Sequence, residues 1–264
     1  MYPRSGENVP DITQYAKYIN WFCKQDIDTH TSHLKLFDFI DDDALKTRIA
    51  KEFYVARYMS KLQYVFRFTW NQESFELFGC LKLQIVQYGG IFEAIISHFL
   101  EKKYFDDDAV KKITQGKGYK KIDGLSNGVT VKQGDRELFL CFKDTEPNRW
   151  ESIKFESKLK AAVTIGLMSE KIKVAVLEIY NLRNSVHIQA AAKKAIEFEI
   201  EHCRSALYTL LDFLEEIRTF LEYSETPEIK EEEERIKSEF EESINSLNQE
   251  TQTNPEIFID GLIY

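Results

Sequence analysis

The apolar positions of this chain recur mostly every three or four residues, the pattern of helices that bury one face. In DITQYAKYINWF, Asp11 supplies an N-cap carboxylate three residues before Gln14, and Tyr15, Tyr18, Ile19 and Phe22 form one stripe. A polar connection, DIDTHTS, leads to a shorter apolar segment, LKLFDFI. Asp41 to Asp43 then cap a second long helix, in which Leu45, Ile49, Phe53, Met59 and Leu62 keep helical spacing. The third, SFELFGCLKLQIVQYGGIFEAIISHFL, is apolar on more than one side and therefore central, and Gly89 and Gly90 predict either a kink or very close packing against a neighbour.

From about residue 102 to 150 the pattern changes. Five of the eleven glycines fall between Gly116 and Gly134, and GVTVK, QGD and RELFLCFK read as two short strands joined by a tight turn. Ahead of them runs a basic loop, Lys111 to Lys121. QGKGYKK within it matches neither G-x-x-x-x-G-K-[ST] nor G-x-G-x-x-G, so a phosphate loop is not predicted.

Helices then resume. FESKLKAAVTIGLM is amphipathic, Ser169 caps SEKIKVAVLEIYNLRNSVHI, and a long helix is expected from about Gln189 to Tyr223. Pro227 opens an acidic helix whose thin stripe, Ile229, Ile236, Phe240, Ile244 and Leu247, predicts a loosely docked arm, and the tail PEIFIDGLIY is apolar again. The expected fold is mainly α, a helical bundle with a small inserted β-hairpin. Its segments are 1–70, an N-terminal helical part; 71–223, the main helical domain with the insertion at about 102–150; and 224–264, the acidic helix and tail. The low counts of 11 Gly and 5 Pro in 264 residues agree, because sandwiches and doubly wound sheets need more punctuation. A hydrophobic share of 43% excludes wholesale disorder.

The formal charge of −9 argues at first against a nucleic-acid partner. It is not evenly spread. Residues 225–250 carry ten Glu against Lys230, Arg235 and Lys237, a balance of −7 that leaves −2 for all the rest. Lys111, Lys112, Lys117, Lys120 and Lys121 form the opposite feature, a run of five lysines with no acid among them. The usual role of such runs is to keep a surface wet; a second is that the glutamates imitate RNA and occupy the lysine path.

The N-terminus has no apolar signal-peptide core and no apolar stretch reaches the length of a membrane span, so a cytoplasmic protein without a membrane partner is expected. Cys23, Cys80, Cys141 and Cys203 lack metal-ligand spacing and read as reduced, mostly buried thiols. His30 and His33 lie in a polar loop, His98 near the end of an apolar helix, and His202 close to Glu199 and Glu201. His187 differs: it follows Arg183 by four residues in NLRNSVHI, so a continuous helix would present both on one face, with Asn184 beside them. An imidazole titrating near neutrality and a guanidinium that grips phosphate through two bonds suit phosphodiester chemistry. On RNA no metal is needed, because the 2′-OH is the nucleophile, and neither a two-metal carboxylate cluster nor HExxH is present in the sequence. No cofactor is expected.

KLKAAVTIGLMSEKIKVAVLEIYNLRNSVHI, followed by a long helix, resembles the HEPN superfamily (higher eukaryotes and prokaryotes nucleotide-binding domain), in which a helix ends in Arg, a polar residue, some variable positions and His. LKLQIVQYGGIFEAIISHFL is similar to the first core helix of that family, with Glu93 at the place of its recurrent buried acid. The resemblance covers roughly residues 75–220 with 102–150 as an insertion, and it departs from the family in having only Asn184, Ser185 and Val186 between Arg183 and His187. It implies a homodimer in which two Arg/His motifs face each other as one metal-independent ribonuclease site. Arg183 would then bind the phosphate, His187 act as general acid and base, Asn184 orient one of them, and the five lysines guide RNA. Such proteins serve as toxins or abortive-infection effectors with a neutralising or regulatory partner. The alternative is a non-catalytic HEPN-like module that binds RNA, a nucleotide or a protein.

Overall fold

The computed structural model describes residues 12–24, 27, 30–66, 75–121, 131–138, 141–186, 198–221 and 227–250. They are mainly helical, as expected. In chain order they form α1 (Ile12–Cys23), α2 (His30–Leu36), α3 (Asp43–Phe66), α4 (Phe75–His98), α5 (Asp108–Thr114), β1 (Gln115–Lys121), β2 (Val131–Gln133), β3 (Arg136–Leu138), β4 (Cys141–Pro147), α6 (Phe155–Thr164), α7 (Glu170–Asn184), α8 (Ile200–Phe220) and α9 (Pro227–Glu250). The chain divides into two compact units, one made of residues 1–94 and 168–264, the other of 95–167.

In the first unit, α3 starts where Asp42 accepts the Leu45 amide at 2.9 Å, and α7 starts where Ser169 Oγ accepts the Ile172 amide at 3.2 Å. Both are N-caps that satisfy amides which have no partner within the helix. The core forms where α4 meets α8: Phe92 and Phe213 have ring centroids 5.5 Å apart, Phe78 meets Phe198 edge to face at 5.5 Å, and the Cys203 thiol points at the Leu81 carbonyl. Cys23, Cys80 and Cys203 are buried free thiols and Cys141 is exposed. α2 occupies part of what reads in sequence as a polar loop. His33 is fully buried there, edge-on to Phe53 and 2.8 Å from Arg57 Nη1, because its apolar surroundings and a buried arginine outweigh the polarity of HTSH.

The acidic helix differs most from expectation. Instead of a loose arm, α9 lies against α3 and α8 with Ile236 and Phe240 buried. Its glutamates meet arginines of the body. Arg57 of α3 donates to Glu239 and lies 3.6 Å from Glu232; Arg204 of α8 grips Glu241 through two nitrogens at 3.0 and 2.7 Å; and buried Arg218 of α8 donates to Glu233. Arg235 of α9 bonds Glu232 and Glu239, holding their carboxylates in place. Burial pulls the Arg57 pKa down, and Glu239 and Glu232 oppose that pull.

Tyr208 donates to the same Glu241 carboxylate at 2.5 Å. Burial, with that hydrogen bond, pushes its phenol up to about 12. In an unfolded chain a tyrosine titrates near pH ~10, so the folded state holds this proton more tightly. The resulting stabilisation is complete below pH ~10 and is lost as the pH rises through about 12. Over that range wild-type protein should therefore lose more stability to urea than Tyr208→Phe, whose loss lacks this component. Equal losses would exclude the coupling.

In the second unit, α5 begins at Asp107, whose side chain accepts the Ala109 amide at 2.7 Å, and α5 passes directly into β1. β1 pairs antiparallel with β4 from Gln115 opposite Pro147 to Lys121 opposite Cys141. β2 and β3 form the expected hairpin, turning at Gly134, whose φ of 62° favours a residue without Cβ. RELFLCFK is thus split between two strands with different partners, and the stretch expected as a basic loop is the end of α5 and all of β1. The reason is the long-range pairing with β4, which no local pattern announces. Buried Lys158 of α6 lies 4.4 Å from the Trp150 ring centroid and donates to Ser97 at 3.3 Å.

Among the described residues no helix is long and apolar enough to cross a membrane.

Candidate functional site

Three of the expected site residues come together where α4 and α7 touch. Gly89 makes the contact close. A Cβ placed on it would stand 3.0 Å from both Cβ and Cγ of Arg183, so the aliphatic stem of Arg183 lies directly on the α4 backbone. Of the two expectations for the glycine pair, close packing holds at Gly89, whereas nothing lies within 4 Å of the corresponding point on Gly90.

With the stem fixed, the guanidinium reaches three groups. Nη2 lies 3.4 Å from Glu93 Oε2, Nη1 donates to Asn184 Oδ1 at 3.1 Å, and Cζ sits 5.6 Å from the centroid of the Tyr180 ring. Glu93 stands one turn after Gly89 on α4, so the same helix face supplies the gap and the counter-charge. The pair is only half-buried, with Arg183 36% and Glu93 35% exposed, so Glu93 is not buried as the resemblance implies. Among the described residues, Asn184 and Glu93 engage two of the five N–H donors of Arg183, which leaves donors for an incoming oxyanion. Tyr180 is the site residue that sequence reasoning missed. Its spacing of three from Arg183 on a helix was the available signal.

The route from Arg183 to His187 is not a continuous helix. α7 ends at Asn184: the Ser185 amide donates to the carbonyls of Asn181 at 3.1 Å and Leu182 at 3.0 Å, and the Val186 amide donates to Arg183 at 3.3 Å. Ser185 Oγ also donates to the Asn181 carbonyl at 2.7 Å. A serine bonded back onto the preceding turn, with three-residue closures beside it, terminates a helix, so the helix expected to carry Arg183 onward ends at Asn184. His187 itself lies outside the described residues.

The lysines belong to the second unit. Lys111 and Lys112 are exposed on the last turn of α5, and Lys111 stands 3.4 Å from Asp106, an acid outside the run. Lys117, Lys120 and Lys121 are backbone positions of β1. Of the other histidines, His202 caps α8 by accepting the Glu199 amide at its Nδ1, 3.0 Å away, and His98 is buried at the end of α4. Among the described residues, no group of three or more His, Cys, Asp or Glu could hold a metal ion.

In comparisons with known proteins, no family model matches the chain, and no curated protein and no solved structure matches it significantly.

Proposed function

We propose that the chain is a metal-independent endoribonuclease that uses Arg183, Asn184 and His187 in a HEPN-like dimer. The observation that carries the reading is a half-exposed guanidinium, fixed by Gly89, Glu93, Asn184 and Tyr180 at the very end of α7, four residues before a histidine. A phosphate laid on Arg183 would have its developing charge stabilised by donors that need no rearrangement. His187 of one copy takes the 2′-OH proton as O2′ attacks phosphorus. The bond from phosphorus to O5′ breaks, and His187 of the other copy returns a proton to the leaving oxygen, giving a 2′,3′-cyclic phosphate and a 5′-hydroxyl. Lys111, Lys112, Lys117, Lys120 and Lys121 attract the strand without reading its sequence. A cytoplasmic toxin or abortive-infection effector, held in check by a neutralising protein, is the role that goes with such an activity.

A second reading, a non-catalytic HEPN-like module that binds RNA, a nucleotide or a protein, is favoured by the end of α7 before His187 and by Glu93 lying against the guanidinium. One experiment separates the two. Labelled single-stranded RNA is incubated in chelator with wild type, Arg183→Ala and His187→Ala, and the product ends are typed. The enzyme reading expects cyclic phosphate ends and a loss of about 10²–10⁴-fold with His187→Ala. Equal behaviour of the proteins would sink it, and retained RNA binding without cleavage would establish the second reading.

A further inference from the structure

The first unit contains a cavity of about 20 Å³, room for about one water, between α9 and the body. Arg57, Ser60 and Lys61 of α3, Tyr88 of α4 and Leu207 of α8 line this half-open space from the body, and α9 borders it with Ile236, Glu239 and Phe240. The lining is largely apolar, and the two cations and two hydroxyls at its edge have the chemistry to donate to an oxyanion. The Tyr88 hydroxyl is fully buried and has no hydrogen-bond partner among the described residues, although a buried hydroxyl ordinarily finds one. The anion supplied to this wall by the chain itself is the Glu239 carboxylate, which accepts from Arg57 and is held from the other side by Arg235.

How α9 is held matters equally. Among its described side chains the buried ones are Glu233, Ile236 and Phe240, so its attachment rests largely on the pairs of Arg57, Arg204 and Arg218 with glutamates. Ion pairs withdrawn from water return little net stability, because desolvation offsets most of their attraction. A ligand carrying more charge per group than a carboxylate, and matching the arginine fork, therefore competes with α9 at small cost. Phosphate has both properties.

The geometry points to a phosphate-accepting site built from Arg57, Lys61, Ser60 and Tyr88, which Glu239 of α9 occupies as an internal competitor. The site involves neither Arg183 nor His187 and stands whether or not the protein cleaves RNA. The phosphate belongs either to a nucleic-acid strand or to a small free ion.

The test uses the full chain at constant ionic strength, with chloride as the control anion. Binding of inorganic phosphate is followed by calorimetry and binding of a labelled single-stranded RNA by anisotropy, for wild type, Glu239→Gln and Glu239→Ala. Loss of the competing carboxylate should tighten phosphate or RNA binding by about tenfold, roughly one charge-assisted hydrogen bond. Adding Tyr88→Phe or Lys61→Ala to the Glu239 variant should remove most of the gain. A gain for inorganic phosphate alone assigns the site to a small ion, and a gain for RNA assigns it to a strand. Identical affinities with and without Glu239, or a gain indifferent to both Tyr88→Phe and Lys61→Ala, would overturn the proposal.

Discussion

Arg218→Ala is expected to destabilise the protein by about 3–5 kcal/mol, the range for removing one partner of a buried ion pair. Arg218 is 1% exposed and Glu233 is 8% exposed, so neither charge can turn to water when the other is lost. The guanidinium also reaches the Leu36 carbonyl at 3.5 Å, at the end of α2, and so links α8 to α2 as well as to α9. Truncation removes both links and takes the guanidinium away from the buried Glu233 carboxylate. Urea unfolding should show the change as a lower midpoint with little change in slope. The double variant Arg218→Met with Glu233→Met replaces both charges by apolar groups and should recover most of the loss. A single-variant loss below about 1 kcal/mol would show that the pair is effectively solvated.

Gly89→Leu should have the second large effect, on the candidate site itself. Even the first added atom would stand 3.0 Å from two carbons of Arg183. The remaining atoms of leucine would have to take the place of the arginine stem. Overpacking of this kind costs about 1–3 kcal/mol, but the sharper consequence is that the guanidinium leaves Glu93 and Asn184. On the ribonuclease reading, Gly89→Leu should then resemble Arg183→Ala in its cleavage defect. Gly90→Ala is the control: no atom lies within 4 Å of the added carbon, and replacing glycine inside a helix gains up to about 1 kcal/mol. Thermal unfolding of the two variants should move in opposite directions, and parallel shifts would contradict the packing argument.

What could be read from the sequence follows from which interactions are local. The caps at Asp42 and Ser169 and the turn at Gly134 announce themselves within four residues. The closeness demanded at Gly89 was legible as a small-residue pair, although not which of the two needs it. The pairing of β1 with β4 was hidden because its determinants lie 20 or more residues apart. α9 was misread for a related reason. Its pattern shows glutamates and a thin apolar stripe, but its docking depends on Arg57, Arg204 and Arg218, which look like ordinary polar positions of α3 and α8. At the candidate site, Arg183 and Asn184 were visible as a motif and Glu93 as an acid on a central helix. Tyr180 was obscured because an aromatic at helical spacing reads as core, and the stop at Ser185 because a single serine is a weak terminator unless its hydroxyl turns back on the helix.

The distance along the chain between Arg57 and Glu239, 182 residues, also sets an order of events during synthesis. At ribosomal rates of 5–20 residues per second, roughly ten to forty seconds separate the appearance of the arginine from that of its glutamate. Through that interval a nascent first unit presents Arg57, and later Arg204 and Arg218, without the helix that neutralises them, in surroundings crowded with ribosomal RNA. α9 emerges after all three arginines and brings the carboxylates that pair with them, so a product stalled before it would differ from the finished protein chiefly in leaving these arginines without those partners.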